Sequence, residues 1–83
     1  MNQEIKKALL EATEEVLGLP SDEMEDSMDL NLIESGLIDS VGCAYLITSV
    51  SDILHKSIPI GKFKAEDFTS LNTIIEAIER ILG

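Results

Sequence analysis

The sequence has few of the residues on which several common classes of protein depend. Its 83 residues include one cysteine, Cys43, two prolines and no tryptophan. A single thiol excludes an internal disulfide and a zinc site built from several cysteines, so we expect Cys43 to be a small core residue. No run of about 18 apolar residues is present, and the N-terminal residues lack the basic-then-apolar order of a signal peptide. We therefore expect a cytoplasmic protein that does not insert into membranes.

Basic residues are scarce as well. Six lysines and arginines stand against sixteen aspartates and glutamates, which gives a formal net charge of −10. A field of this sign repels nucleic acid and anionic membranes, and it steers basic protein surfaces towards the chain. The charge therefore excludes a nucleic-acid partner and favours a protein partner with a basic docking surface.

The apolar residues that remain predict helices. Hydrophobic residues make up 45% of the sequence, and the three aromatic residues leave the core to aliphatic side chains. Apolar positions recur at helical spacing over residues 3–17, 40–54 and 71–82, and residues 65–68 can form one short helix. A chain of this length has room for one domain. We expect a monomeric, all-α bundle of three long helices and one short helix, with residues 1–83 forming a single domain.

The connection between the first two long helices, residues 18–38, is long for a compact domain unless it has local structure or a function. One helical turn could begin at Ser21. Counted from Asp22, the acidic part does not match a calcium-binding EF-hand, because Ser27 occupies the glycine position and Ile33 the glutamate position. No metal site is predicted. The later, apolar residues should pin the connection onto the helices: Leu30, Leu32, Ile33, Leu37 and Ile38.

The second long helix begins at Asp39 and Ser40. Aspartate and serine are preferred at helix N-termini, because their side-chain oxygens accept hydrogen bonds from first-turn N–H groups. We expect Ser40 at the first exposed position, with its hydroxyl in water at the positive end of the helix dipole. That position suits a covalently attached phosphate. The simpler alternative is that Ser40 only caps the helix.

The segment Leu37-Ile38-Asp39-Ser40-Val41 resembles the Asp-Ser-apolar attachment motif of acyl and peptidyl carrier proteins, and the similarity extends over nearly the whole chain. The resemblance implies the fold of that family, with a long loop between the first two helices. It also implies that Ser40 bears a 4′-phosphopantetheine arm, derived from coenzyme A, whose thiol holds the cargo as a thioester. A phosphopantetheinyl transferase would attach the arm, with Asp39 in the motif that it recognises. On this interpretation the chain has no catalytic residues and is not an enzyme.

The exposed face of the second long helix differs from that of general fatty-acid carriers. Those carriers show several acidic residues there, whereas this sequence has Tyr45, Thr48 and Ser51 and keeps only Asp52. A ligase, synthase or transferase that reaches Ser40 must touch the side of the helix next to it. The predicted partner-binding residues are Val41, Tyr45, Thr48 and Asp52.

The cargo is open at this point. Gly42 completes a segment similar to the Asp-Ser-Met-Gly start of D-alanyl carrier proteins, and the segment from Phe63 to Phe68 is loosely similar to theirs. The first interpretation is an acyl or aminoacyl carrier in a specialised lipid, fatty-acid-derived or secondary-metabolite pathway. The alternatives are a D-alanyl or other aminoacyl carrier, and an unmodified acidic helical interaction module. Modification of Ser40 separates the carriers from the module.

We expect added salt to raise the melting temperature. A net charge of −10 on 83 residues places carboxylates within about 10 Å of one another, which is the screening length near 0.1 M salt. Raising the salt from ~0.01 M to ~0.2 M should increase the melting temperature by about 5 °C, and divalent cations should act in the same direction. Thermal unfolding across a salt series measures this, and a flat or falling melting temperature would contradict it.

Overall fold

The structure is a computed structural model that describes residues 3–82, apart from the side chain of Ser40. No strand occurs within these residues, and the all-α prediction is confirmed. None of the helices that it describes has the length and apolar character required to cross a bilayer. In chain order the helices are α1 (Gln3–Leu17), α2 (Ser21–Glu25), α3 (Ser40–Leu54) and α4 (Leu71–Leu82), with short 3₁₀ turns at Ile60–Lys62 and Ala65–Phe68.

The three long helices have the bounds predicted from the sequence, because periodic apolar residues and local stop signals agree. Helix α1 ends before Gly18, which has a φ of +71° and donates its N–H to the Glu14 carbonyl at 3.0 Å. Glycine takes this left-handed conformation without the steric cost of a Cβ atom. Helix α4 begins after Ser70, whose hydroxyl accepts from the Thr73 N–H at 3.3 Å, while Thr73 Oγ1 accepts from the Ser70 N–H at 2.9 Å.

The core lies between the inward faces of α1, α3 and α4. Each aliphatic side chain fully buried there stabilises the fold by about 1.5–3 kcal/mol. Phe63 and Phe68 are half-buried against this core, with their rings stacked at a centroid distance of 5.2 Å. The fully buried large residues of the three helices are Leu9, Leu46, Ile47, Val50, Leu71, Ile74, Ile75 and Ile78.

The connection before α3 is held through the peptide group of Leu32, a buried residue. The Leu32 N–H donates to the Thr69 carbonyl at 2.8 Å, just before α4. The Leu32 carbonyl accepts from the Leu37 N–H at 3.1 Å, the Ile38 N–H at 3.3 Å and the Ser35 hydroxyl at 3.0 Å. One peptide group therefore fixes the connection to α4 and turns the chain back towards the start of α3.

The apolar side chains of this connection do not all pin it to the core. Leu32 and Ile38 are buried and Leu37 is half-buried, as the sequence led us to expect. The expectation is wrong for Leu30, which is exposed, and for Ile33, which is 49% exposed. Since the connection has no regular period between residues 26 and 39, its hydrogen bonds decide which side chains turn inward.

Asp67 joins the second 3₁₀ turn to α4. Its Oδ2 accepts from the Lys64 N–H at 2.8 Å and from Arg80 Nη2 at 3.0 Å. The Lys64 carbonyl in turn accepts from the Asp67 N–H at 2.9 Å. The backbone N–H of Lys64, followed by the Arg80 guanidinium, holds the pKa of the Asp67 carboxyl below its ordinary value. The ionised carboxylate thus stabilises this part of the fold.

We expect Asp67→Asn to lower the free energy of unfolding by about 1 kcal/mol at neutral pH, because a neutral amide is a weaker acceptor than a carboxylate. The pKa of Asp67 is lower in the folded chain than its ordinary value of 3.8. Its contribution is therefore complete above the unfolded pKa and is lost as the pH falls through the folded pKa. The difference between wild type and variant should shrink in that acidic range.

Chemical denaturation at a series of pH values measures this difference. Glu66→Gln is the matched control, since it removes an exposed carboxylate from the neighbouring position. The Glu66→Gln variant should keep the wild-type stability to within about 0.5 kcal/mol. A wild-type advantage over Asp67→Asn that stays constant down to strongly acidic pH would show that ionisation of Asp67 is not its source.

Candidate functional site

The candidate site begins at the N-terminus of α3, where Asp39 is the capping residue. Asp39 has an extended backbone, and its Oδ1 accepts from the Gly42 N–H at 2.7 Å. Its carbonyl accepts from the Cys43 N–H at 2.9 Å. Ser40 is therefore the first helical residue rather than the cap. The Ser40 side chain lies outside the described part of the chain, so the expected exposure of its hydroxyl stays a prediction.

Gly42 allows the first turn of α3 to approach Ile38 closely. A Cβ atom at Gly42 would lie 2.8 Å from Ile38 Cγ1 and 3.3 Å from Asp39 Oδ1. Any larger residue would therefore push against the buried Ile38 and the capping carboxylate at once. The sequence analysis used Gly42 only as a point of resemblance, and this steric reason becomes visible in the structure alone.

A cavity of about 660 Å³, open to solvent, lies beside this helix start. Gly36 shapes one side of it with a turn of φ +79°, in which the Gly36 N–H donates to the Ile33 carbonyl at 3.1 Å. The sequence analysis missed the cavity, because it forms where the end of α1 meets residues from the connection. Its lining residues are Leu17, Ile33, Gly36, Leu37, Ile38, Asp39 and Gly42.

The outward side of α3 carries the four residues predicted to bind partners. Val41 is 59% exposed and Tyr45 is 63% exposed, and the side chains of Thr48 and Asp52 are exposed too. Their spacing along the helix places the four on one face. Thr48 Oγ1 donates to the Ala44 carbonyl at 3.0 Å, so this hydroxyl already has a partner within the helix. The face is thus apolar near Ser40 and polar further along.

Cys43, one turn after Ser40, points into the core. Burial raises the pKa of its thiol, and the nearby Asp39 carboxylate raises it further. A thiol in this environment is a poor nucleophile at neutral pH. His55 is exposed just beyond the other end of α3. Across residues 3–82, no three histidine, cysteine, aspartate or glutamate side chains converge so that they could hold a metal ion.

Comparison with curated proteins finds relatives that share most of this chain. A D-alanyl carrier protein from Streptococcus equi subsp. zooepidemicus is 35% identical over 60 residues, which are 72% of this chain and 76% of the relative. One from Lacticaseibacillus rhamnosus is 29% identical over 79 residues, 95% of each chain. One from Streptococcus mutans serotype c is 28% identical over 78 residues, 94% of this chain and 95% of the relative. No protein-family model matches the chain, and no solved structure gives a significant match.

Proposed function

The chain belongs to the family of acyl and aminoacyl carrier proteins, and we propose that it holds an aminoacyl cargo as a thioester on a 4′-phosphopantetheine arm attached to Ser40. As a member of this family it is a carrier that other enzymes load and unload, and not itself an enzyme. The observation that carries the proposal is the Asp39-Ser40-Val41-Gly42 segment, which begins a helix of fifteen residues.

The chemistry of attachment requires little from the carrier. The Ser40 oxygen forms a bond to phosphorus, and the bond from that phosphorus to the nucleotide half of coenzyme A breaks. The serine proton goes to a base on the transferase. The first turn of a helix offers N–H groups without intrahelical partners, and these together with the dipole favour the attached phosphate. Asp39 already accepts from Gly42, which partly offsets its charge beside that phosphate.

An aminoacyl cargo is favoured by the relatives, all three of which are named D-alanyl carrier proteins. The similarity of Gly42 and of the Phe63 to Phe68 segment to that branch supports the same choice. The specialised lipid, fatty-acid-derived or secondary-metabolite pathway expected from the sequence gains no support from these names. We therefore propose D-alanine, or a similarly small amino acid, as the cargo.

We further propose that residues 1–83 form a single carrier domain that acts as a monomer in the cytoplasm. The common core of α1, α3 and α4 supports one cooperative unit. Its partners are then a phosphopantetheinyl transferase and a ligase or transferase with a basic docking surface. Between Lys7 and Lys56 the sequence has eleven acidic residues and no lysine or arginine, so a basic partner meets no repulsion there.

We propose that this partner docks on the face formed by Val41, Tyr45, Thr48 and Asp52. Tyr45 combines an apolar ring with a hydroxyl that can hydrogen-bond, and such residues often dominate the energy of an interface. General fatty-acid enzymes that dock on rows of carboxylates would meet a phenol and two hydroxyls here. Lysines and arginines left without partners would lose charge-assisted hydrogen bonds, so we expect those enzymes to use this carrier poorly.

We expect Ser40 to accept one phosphopantetheine group. After incubation with coenzyme A and a broad-specificity phosphopantetheinyl transferase, intact-mass measurement should show this gain in the wild type. Ser57→Ala, a change at another exposed serine, should gain the same mass, whereas Ser40→Ala should gain none. No gain in the wild type, or an equal gain in Ser40→Ala, would overturn the carrier mechanism and leave the unmodified interaction module as the function.

We expect Tyr45→Ala to weaken docking of a ligase that charges D-alanyl carrier proteins. Loss of a buried aromatic anchor costs about 2 kcal/mol, so KM for the carrier should rise about 10- to 30-fold with kcat little changed. Ile60→Ala is the matched control, since Ile60 is also an exposed apolar residue but lies in a 3₁₀ turn outside α3. Equal KM values for the two variants would place the docking surface elsewhere.

A further inference from the structure

We propose that the 660 Å³ cavity beside the start of α3 binds the pantetheine part of the arm on Ser40. This inference rests on the proposed function and adds a resting position for the arm on this chain. Asp39 and Gly42 both line the cavity, and Ser40 lies between them in the backbone. An arm attached to Ser40 therefore starts at the rim of the cavity. The volume falls within the range of about 300–1,000 Å³ that is usual for small-molecule sites.

The lining matches the chemistry of pantetheine, which has a gem-dimethyl group, two secondary amides and no charge. Leu17, Ile33 and Leu37 offer aliphatic surface to the methyl groups. Within the described part of the chain, no hydrogen bond reaches the carbonyl oxygens of Gly36 and Leu37. These two carbonyls are available as acceptors for the amide N–H groups of the arm. The one charged lining residue, Asp39, accepts from Gly42 at the rim.

The covalent tether makes weak binding sufficient. A ligand on a short flexible linker experiences an effective concentration on the order of a millimolar at a site within reach. An intrinsic dissociation constant of that size would keep about half of the arms in the cavity. The arm can then still leave to reach a partner enzyme, which a carrier requires.

A second cavity offers an internal comparison. It has a volume of about 340 Å³ and lies between α1 and the last residues of α3, where Ile53 and Leu54 line it. Helix α3 has fifteen residues and is about 22 Å long, so this cavity lies at the far end of the helix from Ser40. Its lining also includes Glu4, Lys7 and Glu11, and these charges suit an uncharged arm less well.

The first test is NMR spectroscopy of the full chain with and without the arm, after intact mass has shown complete loading. We expect nuclear Overhauser contacts from the gem-dimethyl protons to the methyl groups of Leu17, Ile33 and Leu37. Amide shifts should change at Gly36 and stay constant at Ile53 and Leu54. A loaded arm without contacts to the cavity, or with contacts at Ile53 and Leu54 instead, would overturn the inference and leave the proposed function intact. Failure to load would overturn both.

The second test compares the reactivity of the arm's thiol in two loaded variants. Ile33→Ser removes an apolar lining residue that is 49% exposed, and Ile60→Ser removes one that is 46% exposed and lies outside the cavity. Melting temperatures should confirm that both variants fold. With the reactivity of the protein lacking the arm subtracted, a bulky disulfide reagent should modify the Ile33→Ser arm about two- to fourfold faster than wild type. The Ile60→Ser arm should react at the wild-type rate, and equal rates in the two variants would overturn the inference.

Discussion

The placement of the helix that begins at Ser40 depends on the hydrogen bonds of one buried peptide group, that of Leu32. Its N–H reaches the Thr69 carbonyl, and its carbonyl collects the N–H groups of Leu37 and Ile38. Water is excluded from this residue, so leaving these groups unpaired would cost more than an exposed bond contributes. The long connection thereby becomes a fixed support, and the first turn of α3 is presented at a defined place relative to α4.

Much of the fold follows from the sequence, because helices α1, α3 and α4 obey a single period between clear boundaries. The end of α3 is different: His55 has a φ of 55°, a conformation in which a glycine would be the usual signal. Side-chain directions in the connection also escaped prediction, as the exposed Ile33 shows, because hydrogen bonds set them without a period. At the candidate site, Asp39 was anticipated from its type. The cavity was not, since it needs Leu17 to meet residues far along the chain.

Charge contributes to recognition more than to the stability of this fold. The Lys6 to Glu25 pair, 3.5 Å apart, joins α1 to α2 at the surface, where such a pair contributes about 0–1 kcal/mol. Asp67 and Arg80 make the other ion pair found among residues 3–82. Most carboxylates thus repel one another without compensation, and the aliphatic core must hold the chain together against them. On the proposed function, that uncompensated charge is what draws a basic partner to α3.

The inward orientation of Cys43 has a consequence for the chemical lifetime of a loaded carrier. On the proposed function, an activated thioester is tethered one helical turn from this thiol. A thiolate at that distance could exchange with the thioester and transfer the cargo to the protein itself. Burial, with the Asp39 carboxylate in support, raises the pKa of Cys43 and keeps it protonated and out of contact with solvent. The fold therefore makes the chain chemoselective: the thiol on the arm can exchange cargo with partner enzymes, while the thiol encoded in the sequence is silent.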